Sequence, residues 1–398
     1  MMAAGRAAEL GLRVVLCEKN PYTGKKLGIT GKGRCNVTNN CTVSELVKNV
    51  NSGGRFLFSA FNGFGPDRVM DFFEARGVPL KTERGNRVFP VSDRASDIVG
   101  AMRRYLAETG VQVERCRCDG ISSDSGRVTG ISTDRGGIEA GAVIVATGGL
   151  SYPGTGSTGD GFRFAAGLGH RVTEPRPSLV ELLSDSEFCG SCAGLSLKNC
   201  GVRLVSEGKT VYEDFGELLF THGGVSGPTV LSASAHMSPG KRYSLEIDLK
   251  PALDFSELDR RIQRDFAGEK NRLFRNSLDG LLPASLRLPV AKLSGIPLDK
   301  QVNSVTKDER RRLAGLLKCL KVEGLRHGPI DGAIVTAGGV DTREIRPSTM
   351  ESKLVSGLFF AGEVIDADAY TGGFNLQIAF STGFAAGTGA AEYISSLG

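Results

Sequence analysis

The chain has 398 residues, and at about 150 residues per domain that allows two to three domains, which excludes a small stapled module. Glycine stands at 54 positions, about twice the usual ~7%, yet hydrophobic residues hold at 40% and no G-X-Y period appears, which excludes collagen and low-complexity disorder. The net charge of +5 is spread through the chain and points to anionic ligands, so a small-molecule substrate is expected and a nucleic-acid partner is not.

Nine cysteines make an odd count without the spacing of a disulfide framework or a zinc site, so free thiols in a reducing, cytoplasmic compartment are expected. No apolar run reaches the ~18 residues of a membrane span, and the first eleven residues lack the apolar core of a signal peptide. No membrane partner is expected.

In chain order, an alanine-rich helix over 1–11 stops at Gly11 and a strand over 13–20 follows. In a dinucleotide-binding βαβ unit an acid ends the second strand about 20 residues after the glycine fingerprint, and Glu18 stands where that acid belongs. Counting back puts the fingerprint at or before residue 1. The chain is therefore expected to begin inside the first helix of such a unit, with the first strand and G-x-G-x-x-G upstream. An exposed helix ahead of an ordinary sheet is the alternative.

Residues 21–40 read as a loop. Its stretch GKKLGITGKGRCNVTN holds four glycines and four basic residues, Lys26 among them, and so can bring bare backbone N–H groups and cations up to phosphate. It is not a Walker A loop, because five residues before Gly31 lies Lys26 and not glycine. Helices are predicted near 44–48, 66–76 and 94–109, strands at 111–115 and 142–147, and a hairpin near 128–133. Strand alternating with helix argues for a mostly parallel, wound sheet. The strand AVIVAT delivers Thr147, Gly148 and Gly149 to the sheet edge where such folds bind ligands, ahead of a helix over 160–169.

From residue 176 the pattern turns β-rich, with alternation over 198–220 and 242–250 and a short helix near 228–236. Residues 254–321 are charged and helical, and their arginines read as a solvated face. Cys189-Gly-Ser-Cys192 has redox spacing without a thioredoxin-like context and reads as packing. After residue 328 short apolar strands return, and GLFFAGEVIDADAYTGGFNLQIAFSTGFAAG ends in a helix starting near Asn375 whose free N–H groups favour an anion. The domains expected are 1–175 with 329–398, a β-rich insertion at 176–252 and 321–328, and a helical subdomain at 253–320. No cluster has metal-ligand spacing and no G-x-S-x-G elbow occurs, so neither a metal site nor serine-hydrolase chemistry is expected.

The motifs VVLCEKN, ITGKGRCNVTN, IVATGGLSYPGTGSTGDGF, ELLFTHGGVSGPTVL and LFFAGEVIDADAYTGGFNLQIAFSTG together resemble the bacterial YhiN/BaiN-like flavoproteins, also described as aminoacetone-oxidase-type FAD-binding enzymes. The resemblance runs from end to end. It implies an α/β chain with a split Rossmann-type FAD-binding domain, an inserted β-barrel-like domain and a small helical subdomain. It also implies noncovalent FAD, with Glu18 and Lys19 at the adenosine ribose and loop 30–38, including Thr30, Gly31, Arg34, Asn36 and Thr38, along the flavin. Cys118 would touch adenine through its backbone, with Thr147 and Gly148 near the adenosine end. Gly362 and Glu363 would approach the ribityl chain, and Asn375, Leu376 and Gln377 would turn amides to the ring. Members carry a GGGPAG-type fingerprint before the segment matching Met1, which this chain does not contain.

No second fingerprint supports a dedicated nicotinamide domain, so NAD(P)H would visit the open flavin face. The activity expected is FAD-dependent, NAD(P)H-linked reduction of an enone-type small molecule. Oxidation of small amines, a flavin-dependent tRNA modification and a noncatalytic remnant are the alternatives. No catalytic acid or base is assigned from the sequence.

Overall fold

The computed structural model describes residues 1–398 and forms two compact units, residues 1–178 with 330–398 and residues 179–329. The first unit opens on helix α1 (Met2–Glu9), then β1 (Val15–Cys17), shorter than the predicted strand. Residues 21–40 are not all loop as expected. They form the short helix α2 (Lys25–Ile29) and a 3-10 turn (Thr30–Gly33), inside which Gly31 and Lys32 adopt left-handed φ of 57° each. A helix of one turn shows no apolar period, which is why the pattern missed it.

Next come β2 (Thr38–Asn39), α3 (Val43–Lys48), β3 (Val50–Ser52), α4 (Gly54–Gly63) and α5 (Pro66–Glu74). A capping box between Thr42 and Glu45 starts α3, and Pro66 at the first helical position starts α5. The hairpin β4 (Leu80–Glu83) with β5 (Arg87–Pro90) precedes α6 (Ala95–Glu108) and β6 (Gln112–Glu114). A three-stranded antiparallel sheet, β7 (Cys118–Asp124), β8 (Arg127–Thr133) and β9 (Gly136–Glu139), follows, so the predicted hairpin at 128–133 is one strand flanked by two turns. The first turn holds Ser125 and Gly126 at φ 49° and 77°, a pairing that matches strand twist. The first half of the unit ends with β10 (Val143–Val145), α7 (Asp160–Gly167) and β11 (Val172–Ser178).

The second unit holds β12 (Leu182–Leu183), α8 (Phe188–Ser191), the long hairpin β13 (Ser196–Ser206) and β14 (Lys209–Thr221), β15 (Gly224–Ser226), α9 (Pro228–Ser234) and β16 (Tyr243–Asp248). Helices α10 (Phe255–Gly268), α11 (Ala284–Leu293) and α12 (Lys307–Lys318) lead to β17 (Leu320–Val322) and β18 (Arg326–His327). Its seven strands pair in the order β17-β16-β13-β14-β15-β12-β18, with β17 and β18 at the two ends and no pairing between them. One continuous core runs from the sheet residues Val202, Leu204 and Phe220 to the helix residues Leu258, Ile262, Leu286 and Leu313. Cys189 and Cys192 lie in that core, 1% and 0% exposed, and burial pushes both thiols up, so the pair packs and is not poised to react.

The chain returns to the first unit with β19 (Val335–Val340), β20 (Leu358–Phe360), β21 (Asp368–Ala369) and α13 (Phe374–Ser395). β1 pairs with β6 and β10 with β20, both parallel. α13 packs on α1 through glycine: a Cβ on Gly387 would stand 2.5 Å from the Ala3 carbonyl oxygen, and one on Gly383 would stand 3.2 Å from Met2 Cβ. That close approach is what the small-residue run AAGTGAA permits. No helix is long and apolar enough to cross a membrane.

Candidate functional site

In wound α/β sheets ligands bind beyond the C-terminal ends of parallel strands, so the segments that follow β1, β10 and β20 are where a site is expected. Side chains tie these three ends together. Lys19, two residues past β1, reaches Thr158 and, at 2.6 Å, Asp160 Oδ2 at the start of α7. Asn20 donates to the Thr155 carbonyl at 2.9 Å. Lys26 on α2 donates to Glu363 Oε2 at 2.6 Å and to Ser151 Oγ at 3.0 Å, so one ammonium joins the segments after β10 and β20. Glu363 Oε1 in turn accepts from the Thr336 amide at 2.8 Å and from Ser151 Oγ at 3.0 Å.

Glycines shape the same edge. Gly148 has φ 76°, and a Cβ there would stand 2.8 Å from Ser157 Oγ, while one on Gly149 would stand 2.4 Å from Thr336 Oγ1. Gly362, at φ 73°, donates its amide to Thr382 Oγ1 of α13 at 2.9 Å. Only residues without a side chain leave backbone open at these points.

The remaining residues singled out in the sequence divide into those with free polar groups and those absorbed by the fold. Glu18 Oε1 accepts from the amide and side chain of Asn20, both at 2.8 Å, which leaves Oε2 without a partner. Asn36 Oδ1 and Thr147 Oγ1 are buried with no hydrogen-bond partner at all. Buried polar atoms are nearly always paired, so both atoms suit a ligand rich in N–H and O–H donors. The hydroxyls and ring N–H of FAD fit that requirement.

Thr38 and Gln377, by contrast, are 0% exposed and bond each other. Gln377 Nε2 also donates to the Phe64 carbonyl at 2.9 Å and to Ser381 at 2.8 Å. The expectation that Gln377 turns a free amide to a ligand is corrected here, because that amide donates to the Gly373 carbonyl at 3.0 Å. The fourth amide of a helix is the first with an intrahelical acceptor, so the free donors of α13 are those of Phe374, Asn375 and Leu376. Phe374 was not singled out in the sequence. Asn375 folds its side chain back onto both backbone groups of Ala369, which fixes the approach to the helix.

Arg34, with its side chain 35% exposed, is held by two carboxylates. It donates to Asp93 at 3.0 Å and pairs with Glu83, and its guanidinium lies 4.1 Å from the centre of the Phe89 ring. Arg34 holds Glu83, and Lys81 and then Arg34 hold Asp93, below the usual carboxylate range. Thr30 Oγ1 donates to the Leu27 carbonyl at 2.7 Å, closing α2 and presenting Gly31 at the start of the left-handed turn. Cys118 sits on β7 with its thiol on the Gly120 carbonyl, and neighbouring Cys17 is pushed up to about 12, chiefly by burial and then by its contact with Cys116.

A second group in this unit escaped sequence reasoning. Asp368 is 1% exposed, and its Oδ2 accepts from Ser178 Oγ at 2.8 Å and Asn51 Nδ2 at 3.1 Å. Its Oδ1 and Asn51 Oδ1 are both buried without partners. Burial, with a small addition from Asp366, raises the carboxyl above its ordinary range, while Asn51, Ser178 and Arg176 act the other way. A carboxyl raised on folding stabilises the native state below its unfolded pKa, and that contribution is lost as pH rises through the folded value. Asp368→Asn is therefore expected to match the parent in urea midpoint near about pH 4 and exceed it near about pH 8. Equal midpoints at both pH values would mean that folding leaves the Asp368 pKa unchanged.

Residues 1–389 match the family model described as the HI0933-like protein Rossmann domain, and the chain belongs to that family. It is a family of flavin-dependent oxidoreductases. The chain is 31% identical over 390 residues to the ribosomal RNA dihydrouridine synthase of Escherichia coli K12, covering 97% of this chain and 94% of that one. It is 29% identical over 390 residues to the 3-dehydro-bile acid delta(4,6)-reductase of Clostridium scindens, covering 96% and 93%. Among solved structures, a variant of the E. coli quinol fumarate reductase FrdA aligns with a TM-score of 0.49 at 16% identity, over 100% of this chain and 69% of that one.

Proposed function

We propose that this protein binds FAD and uses NAD(P)H to reduce a carbon–carbon double bond conjugated to a carbonyl group. The support is chemical: a delta(4,6) bond beside a 3-oxo group and the uracil bond that is saturated in dihydrouridine are both alkenes activated by a neighbouring carbonyl. Such a bond accepts hydride at one carbon and a proton at the other.

FAD, when bound, supplies a ring that carries hydride. The chain's own residues would hold it. Glu18 Oε2, Thr147 Oγ1 and Asn36 Oδ1 accept from its hydroxyl and N–H donors, and Gly148 and Gly362 leave backbone open beside it. The free amides of Phe374, Asn375 and Leu376, at the positive end of a 22-residue helix, favour negative charge that develops on reduction. The Lys26–Glu363 pair fixes the strand ends around that space.

An enone-type small molecule is one acceptor. Uracil within ribosomal RNA is a second reading, favoured by the 31% relative, which matches nearly the whole chain. The test is anaerobic: FAD-loaded protein is bleached with NADPH or NADH and then offered a steroid dienone or ribosomal RNA, while a separate oxidised sample is offered a small amine. Recovery of the yellow colour with a dienone or with RNA is the expected result. Recovery with neither, together with bleaching by the amine alone, would replace the reductase by an amine oxidase.

A further inference from the structure

We propose that the α10 face carrying Arg260, Arg261 and Arg264 binds the phosphodiester backbone of RNA. The proposal rests on the RNA reading of the function just given and assigns it a surface on the second unit.

The cations of this helical region fall into two sets. Arg272 pairs with Glu269 and Asp279, Arg310 with Asp259, Lys300 with Glu309 and Lys318 with Asp248. Those charges are satisfied within the fold. Arg260 has only a 3.4 Å bond to the Ser256 carbonyl, and Arg264 has neither a hydrogen bond nor an ion pair. Arg261 donates to the Gly280 carbonyl at 2.9 Å, with Asp265 3.7 Å away.

Arg275 and Arg312 also lack an ion pair but lie on other elements, whereas Arg260 and Arg264 share one face of α10. With Leu253, Glu257 and Asp265 the three arginines line one groove of about 500 Å³. The opposite face of α10, Leu258, Ile262 and Phe266, is buried in the core, so the helix cannot rotate this face away. Glu257 Oε2 accepts from the Asp254 amide at 3.0 Å as part of the helix cap and keeps its charge, so the three arginines exceed the two carboxylates of the groove by one. Half-buried Lys250 adds to the positive field: burial and then Arg261 lower its ammonium from the usual lysine range.

Arg260 and Arg264 stand one helical turn apart, about 6 Å along the axis, so each can take its own phosphate. An excess of cation over carboxylate, donors in planar forks and no apolar floor beyond Leu253 fit a phosphodiester backbone. Contacts of this kind position a nucleic acid and carry no sequence information.

The test uses the full, FAD-loaded chain and protein-free bacterial ribosomal RNA in a filter-binding titration against salt. Arg260→Glu with Arg264→Glu is expected to weaken binding about tenfold or more at low salt. The same pair should cut the slope of log affinity on log salt by about 2, since each phosphate contact contributes about 0.9. Arg260→Gln with Arg264→Gln should lose the same slope without adding repulsion. Lys209→Glu with Lys241→Glu, the same charge change on exposed positions of the same unit, should leave the slope alone. Unchanged binding in the arginine variants, or an equal slope change in the lysine control, overturns the proposal. Dienone reduction is read in parallel. If the chain reduces no conjugated alkene yet the arginine variants lose RNA, the reductase reading fails and the groove stands. If reduction proceeds and RNA binding is indifferent to Arg260 and Arg264, only the groove fails.

Discussion

Glu363→Ala is expected to cost about 2–3 kcal/mol of stability in the first unit and to abolish FAD retention on a desalting column. The substitution removes the acceptor of the Thr336 amide, whose residue is 0% exposed, and a buried donor left unmade costs about 1–3 kcal/mol. It also strands Lys26, but the lysine side chain is 26% exposed, so water recovers much of that charge and the ion pair contributes the smaller part. Glu363→Gln keeps an oxygen for Thr336 and Ser151 while removing the charge, and should cost only about 1 kcal/mol. The chain has no tryptophan, so far-UV circular dichroism in urea is the stability readout, with visible absorbance for the flavin. If the alanine and glutamine variants lose equally, charge and not the Thr336 acceptor dominates, and the assignment of roles within this network is wrong.

Gly387→Val is expected to destabilise the chain by about 3 kcal/mol through overpacking. The atoms in the way are backbone, Ala3 O at 2.5 Å and Ala7 N at 3.1 Å, together with Arg6 Cβ at 2.9 Å, and they cannot rotate aside as a side-chain tip can. α1 and α13 must separate, which also disturbs the Arg6 Nε bond to Thr388 Oγ1 at 3.1 Å. Gly315→Ala supplies the opposite sign. That glycine lies inside α12 with nothing within 4 Å of an added Cβ, so alanine should stabilise by about 0.8–1 kcal/mol through helix propensity. A Gly387→Val chain that unfolds at the parental urea midpoint would mean that the helix contact is loose.

Much of the local structure was legible in the sequence because its causes are local. The acid-ended strand before Glu18 and the Thr-Gly-Gly after β10 are contiguous motifs. The one-turn helix α2 was not legible, because a single turn held between left-handed residues has no periodicity to read.

The site divides in the same way. Glycines and free helix amides announce themselves in sequence, since only glycine tolerates those backbone angles and every helix leaves its first amides unpaired. Which polar side chains remain available is a different matter. Thr38 and Gln377, 339 positions apart, satisfy each other; Lys26 and Glu363, 337 apart, bind strand ends together; Asn36, Thr147 and Asp368 are left with a buried atom unpaired. Sequence by itself determined the residue types, the turns and the approximate order of strands and helices, because these follow from backbone sterics and periodicity. Only the tertiary structure decided which donors and acceptors cancel, because a hydrogen bond depends on a distance of about 3 Å that chain separation does not encode.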